Sequence, residues 1–330
     1  METSPELGPV ERLLLAEAPD DARSVLVIDG SPALLERCAE RWPHATVYRD
    51  RCDVGPSIEL TPETLAGVDL VLLVLPPSLG GLADYVERVA AWCNPGVRVV
   101  CAGRNKHMTP RQNDVLARHF TQVHASRGVG KCRALHASHP VDPPLPRRGP
   151  QALVEPSTGL ELVAHGSTFA GARLDAGTRL LLSTASDWRA GDAVDVGSGN
   201  GVLAAVLARQ GRTVTAVDVS RAAVASTAET LRRNGLDGRV TVLLADGIDS
   251  LPDRSAGLVV TNPPFHVGAA KDSTATLQLI QQSHRVLRDG GELWCVYNTH
   301  LPYLEAARRA FGRARIVVQD RGFIVLCASR

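Results

Sequence analysis

The strongest constraint on the fold is an alternation. Between residues 193 and 328, short runs rich in β-branched residues (193–196, 213–217, 240–244, 258–261 and 293–297) are separated by stretches of helical period such as 221–234 and 274–287. Strand, helix and strand repeated in this way specify a parallel sheet with helices on its faces. The last two runs, 315–319 and 323–328, are separated by too few residues for a crossover helix and must pair as an antiparallel hairpin. Residues 25–101 follow the same order, with runs at 25–28, 70–75 and 97–101 and helical stretches at 34–42 and 82–93. Without gaps, residues 120–138 lie over 311–329 at an offset of 191, pairing Phe120 with Phe311, Leu135 with Leu326, Ala137 with Ala328 and Ser138 with Ser329. Upstream, residues 95–101 match 289–295, at an offset of 194. The expected fold is α/β: two tandem Rossmann-like domains from an internal duplication, each a mostly parallel sheet ending in an antiparallel hairpin.

Six prolines between Pro140 and Pro156 mark a linker, which divides the chain into residues 1–140, 141–156 and 157–330. A hydrophobic fraction of 44% and a charged fraction of 22% over 330 residues exclude disorder and coiled coil. No apolar run approaches the roughly 18 residues of a membrane span, and the first ten residues carry Glu2, Glu6 and two prolines where a signal peptide needs a basic and then an apolar stretch. A cytoplasmic monomer is expected. The seven cysteines form no C-x-x-C pair and share no ligand spacing with the histidines, so reduced thiols and no metal are expected.

Charge is unevenly placed. Residues 1–97 hold 7 basic and 16 acidic side chains, a net of −9, whereas residues 98–148 hold 10 basic and 2 acidic, a net of +8. Arg104, Lys106, Arg111, Arg127, Lys131 and Arg133 are the candidates for contact with a polyanion; on charge alone the stretch reads equally as a solvated face.

The chemistry-bearing residues lie in the second half. After the run at 193–196, Asp195-Val196-Gly197-Ser198-Gly199-Asn200-Gly201 leads into a helix, and glycines at such a turn let a ligand approach the backbone. A dinucleotide fingerprint would need glycine where Val202 stands, which argues against an NAD-dependent oxidoreductase; G-x-G-x-G is the spacing of S-adenosylmethionine binders. Asp218 ends the next strand, where a carboxylate can accept hydrogen bonds from ribose hydroxyls. Asp246-Gly247 follows the third strand, and Asp246 is placed to meet the adenine amino group. Asn262-Pro263-Pro264-Phe265 follows the fourth. The Asn262 side-chain oxygen and the Pro263 carbonyl offer two acceptors for an NH2 group conjugated to a planar ring, and Phe265 can stack on that ring for about 1–3 kcal/mol. Pulling on both hydrogens favours the pyramidal nitrogen that attacks a methyl sulfonium.

Through these motifs the chain resembles the class I S-adenosylmethionine-dependent methyltransferases with an N-P-P-[FY] motif. More closely, it resembles the bacterial ribosomal RNA guanine-N2 methyltransferases of the paired-domain type, which comprise the methyltransferase C family of the small ribosomal subunit and the methyltransferase G family of the large one. The resemblance covers the whole C-terminal part, including Phe169 to Leu182 with Gly177, Asn262 to His266, and Leu301-Pro302-Tyr303. It implies that the segment holding Phe169 and Gly177 covers the cofactor, that a flipped guanine enters the pocket, and that a degenerate N-terminal copy serves stability and RNA capture. His266 reads equally as a substrate contact or a structural residue. In the first half, Asp29-Gly30-Ser31-Pro32 has one glycine, and Leu75-Pro76-Pro77-Ser78 aligns Leu75 with Asn262. The expected activity is methyl transfer from S-adenosylmethionine to guanine N2 in ribosomal RNA or a ribosomal subunit. Adenine-N6 and protein glutamine-N5 methylation share the motif's logic, and a non-catalytic RNA-binding or assembly factor is the rival of another class.

Overall fold

The computed structural model describes residues 6–263 and 269–330. The chain forms two compact units, Met1–Gly149 with His165–Ser167, and Pro150–Ala164 with Thr168–Arg330.

The first unit runs α1 (Pro9–Glu17), β1 (Val25–Ile28), α2 (Pro32–Arg41), β2 (Thr46–Tyr48), α3 (Pro62–Leu65), β3 (Leu70–Val74), α4 (Leu79–Trp92), β4 (Arg98–Arg104), α5 (Arg111–Ala117), β5 (Phe120–Ala125) and β6 (Cys132–Pro140). Its sheet order is β2-β1-β3-β4-β6-β5, parallel as far as β4, with β6 antiparallel to both of its neighbours. Every residue of β1 is buried, because alternate side chains feed two cores. Leu26 and Ile28 pack with Leu82 and Val86, while Val25 and Val27 pack with Leu14 and Leu34. Helix entries are set locally: Ser31 caps α2 by accepting from the Leu34 N–H with Pro32 following, and Ser78 caps α4 by accepting from Gly81.

The second unit begins with the hairpin β7 (Gln151–Glu155) and β8 (Leu160–Ala164). Then follow α6 (Ala176–Leu182), β9 (Ala193–Val196), α7 (Val202–Arg209), β10 (Val214–Asp218), α8 (Arg221–Arg233), β11 (Val240–Leu244), β12 (Ala256–Thr261), α9 (Ala269–Val286), β13 (Leu287–Asn298), α10 (Tyr303–Phe311), β14 (Ala314–Gln319) and β15 (Phe323–Ser329). The large sheet is ordered β11-β10-β9-β12-β13-β15-β14, again with cores on both faces. Removing its outer strand β11 leaves the strand order of the first sheet. The terminal pairings agree residue by residue with the alignment read from sequence. Arg98 pairs with Ser138 and Cys101 with Leu135, as Glu292 pairs with Ser329 and Cys295 with Leu326. In the hairpins, Val123 pairs with Ala137 and Ala125 with Leu135, as Ala314 pairs with Ala328 and Ile316 with Leu326.

The proline-rich segment differs from the linker expected over 141–156, since its last part is strand β7. Ala152, Leu153 and Val154 pair with Val163, Leu162 and Glu161, and β8 is itself fastened by the Val163 N–H to Thr230 Oγ1 on α8 at 2.9 Å. The strand is made by a partner further along the chain, which the local composition does not encode.

The short segment His165–Ser167 counts with the first unit because it docks on α4. Ser78 Oγ donates to the Gly166 carbonyl at 2.6 Å, and the Gly166 N–H donates to Asp84 Oδ2 at 2.9 Å. A Cβ on Gly166 would lie 1.9 Å from the Gly80 carbonyl oxygen. Gly166→Ala is therefore expected to cost about 2 kcal/mol or more, seen as a lower urea midpoint at unchanged slope.

Candidate active site

At the carboxyl end of β9 the chain must leave a buried strand and enter α7 within five residues. It does so through Gly197, Gly199 and Gly201, with φ of +76°, +56° and +78°, a left-handed conformation at every second residue that side chains other than glycine resist. A Cβ on Gly201 would also meet Thr227 Cα at 2.9 Å. The two intervening residues tie the turn down. Ser198 Oγ lies 2.9 Å from Thr227 Oγ1, and Asn200 Nδ2 donates to the carbonyls of Gly171 and Arg173 at 2.9 Å each. The outcome is a left-handed glycine turn at the carboxyl end of β9, between β10 and β12, the place where doubly wound folds bind ligands.

The acidic residues divide by environment. Asp218, at the end of β10, accepts from the Gly199 N–H at Oδ2 and from the Ser220 N–H at Oδ1, both at 2.9 Å, so it stands against the glycine turn. Asp195 is fully buried; its Oδ2 accepts from the Ala204 N–H at 2.9 Å, and its Oδ1 has no hydrogen-bond partner among the described residues. Burial pushes its carboxyl up to about 7, against the Ala204 N–H and reinforced by the charge of Asp218. Asp246 is exposed just beyond β11, and Gly247 adopts φ +75° with room for no more than the tip of Gln282 beside it.

Asn262, directly after β12, is held by one edge. Its Nδ2 donates to Asp175 Oδ2 at 2.9 Å and to Thr178 Oγ1 at 2.8 Å. Its Oδ1 is buried with no hydrogen-bond partner among the described residues. Pro263 is buried beside it, whereas Pro264, Phe265 and His266 lie outside the described residues. Asp175 also caps α6, accepting from the Gly177 and Thr178 N–H groups at 2.9 and 3.1 Å. Gly177 lies against the Phe323 ring, 3.1 Å from where a Cβ would stand, so a close packing contact demands glycine there. Phe169 leaves 59% of its surface exposed, on a turn where Ala170 and Gly171 both have φ near +60°. Asp175, Thr178 and Asn200 were not singled out by sequence reasoning. The one local signal for Asp175 is an aspartate two residues before a glycine at the start of an apolar helical run, which reads as a cap and nothing more.

This arrangement matches known proteins along its length. The methyltransferase small domain family matches residues 159–327, and the RLMG N-terminal domain family matches residues 50–141. Ribosomal RNA large subunit methyltransferase G of Streptomyces coelicolor is 36% identical over 271 residues, covering 79% of this chain and 72% of the relative. The chain belongs to the ribosomal RNA large subunit methyltransferase G family. The enzyme of that name from Pseudomonas paraeruginosa is 35% identical over 295 residues, covering 86% of this chain and 77% of the relative. Among solved structures, the Thermus thermophilus 16S rRNA N2 G1207 methyltransferase (RsmC), in complex with AdoMet and guanosine, superposes with a TM-score of 0.80 at 22% identity. It covers 98% of this chain and 92% of its own, and shares the fold.

Within this family member the first unit lacks the corresponding cradle. The Asp29 N–H donates to the Tyr48 carbonyl as the Gly197 N–H donates to Val217, so Arg49 occupies the register position of Asp218. Its buried guanidinium donates from Nε to the Gly30 carbonyl at 3.0 Å and from Nη1 to the Pro56 carbonyl at 2.8 Å. The Ser31 N–H is taken by Glu11 Oε1 at 3.0 Å. The same ladders correct the sequence alignment at the proline motif. Leu70 and Leu258 both donate to the residue before the central strand, Ser24 and Asp192, so Val74 and not Leu75 stands in the place of Asn262.

The six candidate RNA-binding residues are all exposed, and five of them gather at one end of the first sheet. Arg104 ends β4 opposite Cys132, Gly103 pairs with Arg133, the Asn105 N–H donates to the Lys131 carbonyl, Lys106 follows Asn105, and Arg127 follows Ser126, whose N–H donates to the Ala134 carbonyl. Arg111 opens α5. Other cations of the basic stretch are engaged within the first unit, Arg98 with Asp21 at 2.8 Å and Arg147 over the Trp92 ring at 4.7 Å.

Because the Asp195 carboxyl is raised above its unfolded value, the folded state holds its proton where the unfolded chain has released it. Its contribution to stability is present below about pH 4 and is lost as pH rises to about 7. Asp195→Asn removes this dependence. Denaturant melts at pH 4.5 and 7.5 are expected to show the variant gaining on the wild type by a few kcal/mol, ~4 at most.

Proposed function

We propose that this chain transfers a methyl group from S-adenosylmethionine to the exocyclic N2 amine of a guanine in ribosomal RNA, with Asn262 Oδ1 and the Pro263 carbonyl accepting the two amine hydrogens. The observation that carries this is the Asn262 amide, whose nitrogen is engaged on both hydrogens while its buried oxygen has no partner among the described residues. A buried acceptor left without a donor is costly, and a flat NH2 group supplies donors of the right kind. Membership of the methyltransferase G family supports the nucleic-acid substrate.

The described residues fit the cofactor. The left-handed glycines 197, 199 and 201 would open the backbone to it, Asp218 would hold the ribose hydroxyls and Asp246 and Gly247 the adenine, with Phe169 as a cover and Gly177 seating the covering helix. Bound S-adenosylmethionine supplies an electrophilic methyl group. Asn262 and Pro263 draw on the amine hydrogens and so favour the pyramidal nitrogen. Phe265, by its place in the motif, stacks on the base.

The first unit, in this reading, is a degenerate copy of the same domain, residues 1–140, which contributes stability and RNA capture. The shared strand order and the coincident hairpin registers support the duplication, and Arg49 in the place of Asp218 supports the loss of cofactor binding. The cluster around Arg104, with Lys106, Arg111, Arg127, Lys131 and Arg133, meets phosphates. A cytoplasmic enzyme accords with seven free cysteines and with the finding that no helix among the described residues is long and apolar enough to cross a membrane.

Titration calorimetry is expected to count one S-adenosylmethionine per chain. Asp218→Ala should weaken that binding by about 1.5–3 kcal/mol, whereas Asn262→Ala should keep it and lower kcat on the order of 100- to 1,000-fold. Nucleoside analysis of ribosomal RNA methylated by the purified enzyme identifies the product, N2-methylguanosine; methylated adenine would sink this reading. Replacing Arg104, Lys106, Arg111, Arg127, Lys131 or Arg133 by Gln is expected to lower the salt slope of RNA binding by about one unit each, with kcat at saturating RNA unchanged.

A further inference from the structure

Accepting the amine hydrogens requires the Asn262 oxygen, and not its nitrogen, to face the substrate. An asparagine amide is nearly symmetrical in shape, and a half-turn exchanges an acceptor for a donor. A donor in that place would oppose the amine hydrogens and hold no nitrogen in the pyramidal form. Something outside Asn262 must decide which end faces in.

We propose that Asp175 is a positioning residue that locks the Asn262 amide with its oxygen toward the substrate. A carboxylate has no hydrogen to give, so the edge of Asn262 that meets Asp175 Oδ2 at 2.9 Å must be the NH2 edge. Thr178 Oγ1, at 2.8 Å, takes the second hydrogen of the same group, which leaves Oδ1 alone on the other side. The lock is itself held in place. Asp175 Oδ2 also accepts from the Gly177 and Thr178 N–H groups at the first turn of α6, so the carboxylate cannot swing away without uncapping its helix. Residues 87 and 84 positions apart in sequence from Asn262 thus set its polarity, and the cap of α6 is also the orienting group of the site.

This inference rests on the assignment of Asn262 as acceptor, so the variants are chosen to separate the two. Asp175→Ser keeps a capping oxygen on α6 but is too short to hold Asn262 and can itself donate, which permits the turned amide. It is expected to lower kcat on the order of 10- to 100-fold with cofactor Kd, KM for RNA and Tm close to wild type. Thr178→Val, which preserves shape and removes one acceptor, should lower kcat by a smaller factor, and it tests the lock if the serine variant folds poorly. In an Asn262→Ala background, Asp175→Ser should lower kcat no further, because its effect passes through Asn262. Independently of activity, the side-chain NH2 resonances of Asn262 in the cofactor-free protein should move in Asp175→Ser and stay in place in Asp218→Ala.

An equal loss from Asp175→Ser with and without Asn262 would overturn the lock, as would unmoved Asn262 resonances. Wild-type kcat in Asn262→Ala would instead overturn the acceptor assignment, and the lock with it.

Discussion

The structure depends on how the central strand of the second sheet ends. β9 is buried on both faces, so its carboxyl end is the first point at which the chain can turn out of the core. The three left-handed glycines at 197, 199 and 201 bend the chain there without side chains in the way, and Asn200 and Ser198 fasten the bend to neighbouring segments. Asp218, the buried Asp195 and the Asn262 amide are all placed relative to that bend by the parallel ladders of β10 and β12 on either side of β9.

The two units show what the same frame does with and without these residues. The first has the same strand order, apart from the outer strand β11, and the same hairpin registers, built around cores of its own. Arg49 lies where Asp218 would be and satisfies the Gly30 carbonyl, Glu11 takes the Ser31 N–H, and Val74 replaces the amide of Asn262. In the first unit the Gly30 carbonyl and the Ser31 N–H are thus both satisfied from within. What the first unit offers to solvent lies instead in the exposed cations around Arg104 and the β5–β6 hairpin.

Much of this was legible from the residues alone. Hydrophobic runs of strand length alternating with helical period were enough to find β1, β9 and β11 residue for residue, since these strands are short and bounded by turns. The offset of 191 relates hairpins of equal register, Val123 with Ala137 in β5 and β6 and Ala314 with Ala328 in β14 and β15. Strand β7 was missed, since its apolar residues stand among prolines and it exists only by pairing with β8. The one-residue shift from Leu75 to Val74 was also out of reach: the prolines drew the alignment, while the hydrogen-bond ladder decides it.

The sequence by itself determined the two α/β sheets, the glycine turn, the carboxylate of Asp218 and the Asn262-Pro263 pair, because each depends on conformational preferences and chemistry carried within a few neighbouring residues. Tertiary structure alone decided the burial of Asp195, the placing of Arg49 at the register position that Asp218 holds in the second sheet, and the tie from Asp175 and Thr178 to Asn262. These are matters of distance between segments far apart in the chain. Hydrogen-bond direction and desolvation act over a few ångströms in space, and sequence spacing carries no information about which atoms come within that range.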